Sequence, residues 1–559
     1  MRKKITICKT TPDFLLSDGM WKHRYSGKFR AVRLILIFLA FFPLFAAEPI
    51  PPDMPEFYFR FKIESQVELE RLTRIISIDN VSDLTVYAYA NRKEFTSFSE
   101  LGYAYEVLPH PGKLIESKMA KSAAEMSAWT FYPTYETYLE LMNRFATDHP
   151  DLCKIVSAGT SVNGRQILFA KISDHVDTEE AEPEVMLTST MHGDEVVGYV
   201  LMLRLIDYLL TNYPIDSRIT ELLDSTEIWI NPLANPDGTY AGSDSTVFGA
   251  TRYNSNSVDL NRNFPDPAYG DHPDVEIYQP ETSAMVSLAE VHHFVLSANF
   301  HGGSEVVNYP WETWSRLHTD DAWFQSIAHQ YADTAQQFGG SGYFNNEEFD
   351  DGITNGYCWY PVHGGRQDFM TYFQNGREVT IEISDIKMPA ASILDYYWEA
   401  NYRSLIHYLE NAQFGIRGIV ADPFGTPLNA TITLIGHDTD NSEVVTDPDV
   451  GDYYRLCLPG TYRMKIESDG FLSEEIDSVV VTADRPTIQN FQMKKDCIAG
   501  DVNQDGSIDV TDLLHVVRFS LNRAQPDGQQ KFPADWNADG HIDRQDIRGI
   551  VNVILNSSK

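Results

Sequence analysis

The 559-residue chain is poor in cysteine, in basic charge and in long apolar runs. Its five cysteines, Cys8, Cys153, Cys358, Cys457 and Cys497, are scattered and form no close ligand-type pairs. That spacing excludes a disulfide framework and a thiolate zinc site. Lys and Arg number 44 against 80 Asp and Glu, for a net charge of -36. Such a field disfavours nucleic acid and anionic membrane surfaces, and it attracts cationic substrates or calcium; most of the charge reads as solvated surface. The one long apolar run, Leu34 to Ala47, follows Lys28, Arg30 and Arg33. It is short for a bilayer span and has the basic flank of a signal peptide. Residues 1–46 are therefore expected to be a signal, with Met20 as an alternative start that leaves a short basic lead. Export to the extracellular space or periplasm follows, with no transmembrane anchor after signal removal.

What remains is long enough for several domains. Residues 47–128 open with Glu48-Pro49-Ile50-Pro51-Pro52 and alternate strand-like runs (Tyr58–Phe61, Leu84–Tyr87) with a helical pattern at Val67–Ile76. This predicts a small α+β module, a candidate pro-segment, in which no chemistry is legible. Residues 129–411 alternate helix and strand patterns: a helix at Tyr135–Ala146, a strand at Glu184–Thr190, a helix at Glu195–Thr211 and a strand at Thr226–Pro232. That rhythm predicts an α/β domain around a largely buried sheet. From Arg417 to Lys494 the period becomes two, punctuated by Pro423-Phe424-Gly425 and Pro459-Gly460, which predicts a compact β-sandwich.

Chemistry concentrates in the α/β region. His192 and Glu195 lie three apart where a strand opens into a helix, and a second apolar strand, Val295–Phe300, ends in His301. Imidazole and carboxylate at strand ends suit a catalytic zinc, which takes two or three such ligands and keeps a position for water. His-x-x-Glu alone would be weak. Between the two histidines, Asp259–Pro265 places Asn261 and Arg262 in a loop, and Arg grips carboxylates with paired hydrogen bonds. Glu382 interrupts an apolar strand, where an unpaired acid would be costly without a role.

These motifs, with Asn235-Pro236-Asp237-Gly238, His301-Gly302-Gly303-Ser304 and Gly352-Ile353-Thr354-Asn355-Gly356, resemble the zinc carboxypeptidases related to carboxypeptidase A. The resemblance is greatest to the branch containing carboxypeptidases N, E and D. It implies an α/β/α catalytic domain with a mixed, mostly parallel sheet at 129–411, followed by a transthyretin-like β-sandwich at 414–495. It further implies one zinc held by His192, Glu195 and His301, Glu382 as general base and acid, and Arg252 as oxyanion donor. Asn261 and Arg262 become the clamp for the substrate's terminal carboxylate, and Tyr360 the mobile tyrosine, chosen over Tyr372 by its spacing from Glu382. Glu312 stands where the branch has a pocket acid, and Gln367 matches a second polar pocket residue. An acid at a pocket base selects Arg or Lys at the substrate's C-terminus, whereas on the rim it would select nothing. Two other readings stay open: a carboxypeptidase for cell-wall peptides ending in diaminopimelate, and a non-catalytic binding protein on the same fold.

Residues 497–559 repeat one loop twice. Asp501, Asn503, Asp505, Ser507, Asp509 and Asp512 are matched by Asp535, Asn537, Asp539, His541, Asp543 and Asp546, with Gly506 and Gly540 at the sixth position. Oxygen ligands at positions 1, 3, 5, 9 and 12 around a sharp glycine turn suit calcium, so two calcium ions are expected. Each loop runs into an amphipathic helix, Leu513–Leu521 and Ile547–Leu555. The pair resembles a small α-helical, calcium-binding dockerin domain, which implies a cohesin-type partner. Val510-Thr511 and Arg544-Gln545 differ at the partner-facing positions, which argues against symmetric dual binding; a purely stabilising calcium module is the alternative.

Overall fold

The computed structural model describes residues 56–340, 342–345, 349 and 351–557; the expected signal lies outside them. Its centre is an eight-stranded sheet. From one edge the strands are Ile353–Asn355, Ser304–Tyr309, Arg377–Ser384, Phe294–His301, Glu184–Ser189, Glu227–Asn231, Gln166–Ile172 and Cys153–Thr160. The four middle strands, from Arg377–Ser384 to Glu227–Asn231, run parallel. They are buried along nearly their whole length because helices cover both faces. Helix Val197–Asn212, with eleven buried residues, packs with Leu394–Glu410 and Asp321–Gly339 in the larger core; Pro280–Val291 belongs to a smaller one. Parallel strands bring their carboxyl ends to one side, and His301 and Glu382 are register partners there.

The N-terminal module is a four-stranded antiparallel sheet in the order Ser77–Ser82, Thr85–Asn91, Glu56–Lys62, Tyr105–Val107. Helix Arg92–Ser99 packs Phe95 and Phe98 against Phe59. The helical pattern at Val67–Ile76 forms only a 3-10 turn, Gln66–Glu68, and the short helix Leu69–Leu72. Ile75, Ile76 and Ile78 follow, and this β-branched run feeds the strand Ser77–Ser82 instead of extending the helix. The end of the segment assigned to the module, past this small sheet, joins the main core: Met119–Ala120 pairs with Tyr132–Pro133, and Ala120, Ala123 and Met126 are buried there.

The sandwich stacks Asp452–Arg455, Ile416–Ala421 and Thr487–Ile488 over Val444–Val445, Thr431–Leu434, Gly460–Glu467 and Glu474–Val481. A buried charge cluster ties it to the catalytic sheet. Asp320 accepts from Arg377 at 2.8 and 3.0 Å, lies 3.0 Å from Arg455 of the sandwich, and meets His437 at 2.7 Å. Arg377 begins the strand that carries Glu382, so the sandwich braces the base of that strand. Breaking such a cluster by removing one partner costs about 3–5 kcal/mol. The last unit packs helices Val510–Ser520 and Arg544–Ser557 around Val502, Val516, Phe519, Ala534 and Ile550. Phe532 leads it onto the sandwich between Phe424 and Phe471. No helix among the described residues is long and apolar enough to cross a membrane.

Candidate metal centre and its cleft

His192 leaves the end of Glu184–Ser189, Glu195 the turn before helix Val197–Asn212, and His301 the end of Phe294–His301. Gly193 permits this turn: a Cβ there would lie 2.3 Å from the Gly238 carbonyl carbon. The three side chains converge, with donor atoms all within 4.8 Å of one another. His192 Nδ1 is 3.0 Å from Glu195 Oε1 and 3.0 Å from His301 Nδ1, and His301 Nδ1 is 2.8 Å from Glu195 Oε2. Two imidazole nitrogens facing each other this closely cannot both carry protons, so at least one lone pair points inward. Burial outweighs the pull of Glu195 and lowers His301 to about 4, which keeps it neutral. Burial alone would raise the Glu195 carboxyl, but His192, Lys387 and His301 hold it well below its usual range. Two imidazoles and one carboxylate are a donor set that zinc takes, and the residues fit it.

Asp259 supports the centre from outside. Its carboxylate meets His192 Nε2 at 3.0 Å, accepts from Arg252 Nε at 3.1 Å and caps the turn at Asn261. Such an outer partner fixes which ring nitrogen faces the metal. Asp259 stood inside the quoted motif, yet only the folded chain gives it this role.

One cavity is lined by His192, His301, Arg252, Asn261, Arg262, Tyr360, Glu312 and Glu382. Glu382 is buried, and its Oε2 has no hydrogen-bond partner among the described residues. Burial, with the charge of Glu195 beside it, pushes its carboxyl well above the usual range. Glu312 is 2% exposed and belongs to the cavity's interior, not its rim. It abuts Gly356 and Gly365, where any Cβ would collide with it, and Asn308 donates to its Oε1 at 2.8 Å. Its Oε2 is unpartnered among the described residues, and burial raises the carboxyl to about 7. Asp368, unremarked in the sequence, accepts the Glu312 and Thr313 backbone N–H groups. Gln367 stands behind the lining: its amide oxygen accepts from Thr380 N at 2.7 Å. Tyr372 packs on Trp311 and Trp314.

The N-terminal module reaches into this cleft, where the sequence showed no chemistry. Asp79 lines the same cavity. Its carboxylate accepts from Arg252 Nη1 at 3.1 Å and Lys387 Nζ at 2.6 Å, and its carbonyl accepts from the Tyr360 hydroxyl at 3.3 Å. Arg262 donates to the Ile78 carbonyl at 3.0 Å, and Ser77 bonds both Arg252 and Asp259. Nothing in the module's sequence resembles a catalytic motif, and no strand was expected at 77–82; the fold forms one there and aims it.

In the last unit the two loops repeat one hydrogen-bond scheme. Asp501 accepts from Gly506 N at 2.9 Å and Asp535 from Gly540 N at 2.8 Å. Asp512 accepts from Asp509 N at 2.9 Å and Asp546 from Asp543 N at 2.7 Å. Asn503 and Asp505, Asn537 and Asp539 pair alike, and Ser507 and His541 each donate N–H to the preceding aspartate. The carboxylates thus face inward twice.

A buried His-Glu-His cluster at the strand ends of an α/β sheet, with a second glutamate unpaired in the cleft, is the architecture of a metallohydrolase. Sequence comparison sharpens the class. The profile described as "Zinc carboxypeptidase" matches residues 138–404, "Carboxypeptidase regulatory-like domain" 415–494, and "Dockerin type I domain" 499–555. Mouse carboxypeptidase D is 41% identical over 357 residues, which cover 61% of this chain and 25% of that protein. The human carboxypeptidase N catalytic chain is 35% identical over 396 residues, covering 65% of this chain and 85% of that one. The chain belongs to the zinc carboxypeptidase family and carries a dockerin type I domain. It spans a quarter of the length of the carboxypeptidase D relatives. Carboxypeptidase A from Helicoverpa armigera, at 18% identity, TM-score 0.50 and coverage of 64% of this chain and 98% of its own, shares the fold.

Proposed function

We propose that this protein is a secreted zinc carboxypeptidase that removes Arg or Lys from the C-termini of peptides or proteins. The observation that carries the reading is the unpartnered Glu382 oxygen beside the His192–Glu195–His301 cluster, with a second buried acid, Glu312, in the same cavity. Zinc bound by those three residues supplies Lewis-acid activation of water and of the scissile carbonyl. Glu382 takes the proton from the attacking water and delivers it to the leaving amine nitrogen; its raised proton affinity suits both transfers. Arg252 donates N–H to the developing oxyanion. Asn261 and Arg262 hold the terminal carboxylate, which restricts cleavage to chain ends, and Tyr360 closes over the bound residue. Glu312 pairs with the departing cationic side chain, and Gln367 steadies the wall behind it.

In the chain as it stands Arg252, Arg262 and Tyr360 are all engaged by residues 77–79. The module at 47–128 therefore reads as a pro-segment whose departure frees the cleft. The two calcium loops order the last unit, through which a cohesin-type partner would hold the enzyme outside the cell. The acidic pocket favours ordinary basic C-termini over diaminopimelate, whose side chain ends in a carboxylate of its own.

The test is turnover of matched peptides ending in Arg, Lys, Phe or diaminopimelate, before and after limited proteolysis, with and without a chelator. Arg and Lys peptides should be cleaved, more after proteolysis, and chelation should abolish it. Turnover that survives zinc removal overturns the assignment.

A further inference from the structure

Lys387 has no role in the reading above, yet it touches the metal cluster. It follows the catalytic strand Arg377–Ser384, and its carbonyl accepts from Val196 N at 3.1 Å, which fixes it beside the Glu195 turn. Its Nζ donates to Glu195 Oε1 at 2.6 Å and to Asp79 Oδ1 at 2.6 Å. Arg252 Nη1 donates to the same two oxygens, at 3.3 and 3.1 Å. The four side chains close a ring of alternating charge, all of them buried. Asp194, held by Tyr89 of the module at 2.7 Å, and Glu382 face the ring from either side.

Only Asp79 in that ring comes from the N-terminal module. Without it, Lys387 would keep only Glu195, which the metal cluster already uses, and Arg252 only Glu195 and Asp259. A buried charge without its counter-ion is costly, so the gap favours another carboxylate. Its place in the cleft says which one. The cavity that Asp79 lines also holds Glu312 and the clamp residues Asn261 and Arg262. Asp79 touches Arg252, the proposed oxyanion donor, and the scissile carbonyl belongs to the penultimate residue, so that residue's side chain lies beside the place of Asp79.

We propose that Lys387 and Arg252 form a carboxylate subsite beside the metal cluster, filled by Asp79 in this chain and by an acidic side chain at the substrate's penultimate position in the active enzyme. The proposal rests on the carboxypeptidase reading. Its preferred substrates end in Glu-Arg, Asp-Arg or their Lys counterparts.

The test uses the full chain with Asp79→Ala, which empties the carboxylate's place, and Asp79→Ser as a second opening variant should the first fold poorly. Acetate is the probe. It should raise the melting temperature saturably, where chloride at equal ionic strength does not, and the response should vanish in Asp79→Ala/Lys387→Met. By calorimetry with Glu382→Gln added to stop turnover, N-acetyl-Glu-Arg should bind the opened chain about tenfold more tightly than N-acetyl-Gln-Arg, and the double variant should erase the ratio. Equal acetate responses in the two variants, equal affinity for the two dipeptides, or binding of neither overturns the subsite. If Lys387 only braces Glu195, the double variant loses zinc affinity in a chelator competition while the opened chain already shows no Glu preference. The acetate arm needs no turnover. A chain that binds acetate but cleaves no Arg-ended peptide defeats the peptidase reading alone, and one that cleaves without binding acetate defeats the subsite alone.

Discussion

The calcium loops and the metal cluster are both sets of converging polar side chains, and they are built in opposite ways. Each dockerin loop takes its inward carboxylates from twelve consecutive positions, Asp501–Asp512 and Asp535–Asp546, and its geometry is local: a glycine turn and backbone N–H groups closing on the first and last aspartates. The metal cluster draws on His192 and Glu195 and, more than a hundred residues further on, His301, with Glu382 on the neighbouring strand. Topology assembles it: adjacent parallel strands end together, so His301 and Glu382 are register partners. A local site survives or fails with its own loop. An assembled site depends on the sheet and on every charge packed around it.

That difference ranks the expected effects. The largest is at Glu382. Glu382→Gln keeps the volume and removes the proton carrier, so turnover should fall by about 10²–10⁴-fold while zinc binding, measured by competition with a chelator, stays near wild type. Lost zinc would mean that Glu382 builds the cluster; retained turnover would mean that another group moves the proton.

Next is the wall between module and cleft. If residues 77–79 hold the cleft closed, Asp79→Ala in the full chain should raise turnover of Arg-ended peptides about tenfold or more, because two charged contacts of about 1.5–3 kcal/mol each are removed. Equal rates for the two chains would leave the module without a regulatory role. This region also marks where sequence reading stopped. The cluster of His192, Glu195 and His301 was legible because strand patterns ended near its members, and buried Glu382 because an acid broke an apolar strand. Asp259 lay within a legible motif, but its bridge from His192 to Arg252 needs two distant residues brought together. Asp79 and Lys387 left no signal at all. An aspartate in an alternating strand and a lysine in a loop look like solvated charge until the fold buries both against Glu195. The same limit shortened the helix expected at Val67–Ile76, where strand pairing claimed the isoleucines.

At Glu312 the effect should be smaller and selective. Glu312→Gln should lower kcat/KM for Arg-ended peptides about tenfold to a hundredfold, the value of one charged contact, and leave Phe-ended peptides nearly unchanged. The acid titrates near 7 because of its burial, so in the wild type the Arg-to-Phe ratio of kcat/KM should climb as pH rises through about 7 and flatten above it. The sign for stability is opposite. With its folded pKa raised, Glu312 favours the fold while protonated, and that contribution is lost as pH rises from the ordinary carboxylate range to about 7. A Glu312→Gln chain should lack both trends; a ratio flat with pH would place the specificity elsewhere.

The smallest effect belongs to the local sites, and it should be unequal between them. Asp512 and Asp546 hold equivalent places, each accepting backbone N–H groups from its own loop. Their surroundings differ. Gly540 of the second loop lies against the Pro423 carbonyl of the sandwich, close enough that a Cβ would come within 2.1 Å, and Phe532 packs on Phe424 just before that loop. A Cβ on Gly506 of the first loop would meet nothing within 4 Å. Inter-domain packing can substitute for part of what calcium supplies, since anything that binds only the folded state stabilises it. Asp512→Ala should therefore expose its helix to proteolysis at moderate calcium, whereas Asp546→Ala should need a chelator as well. Neither change should alter turnover at the distant metal cluster. Equal protease sensitivity of the two variants would mean that the sandwich contact contributes nothing, and that both loops stand on calcium alone.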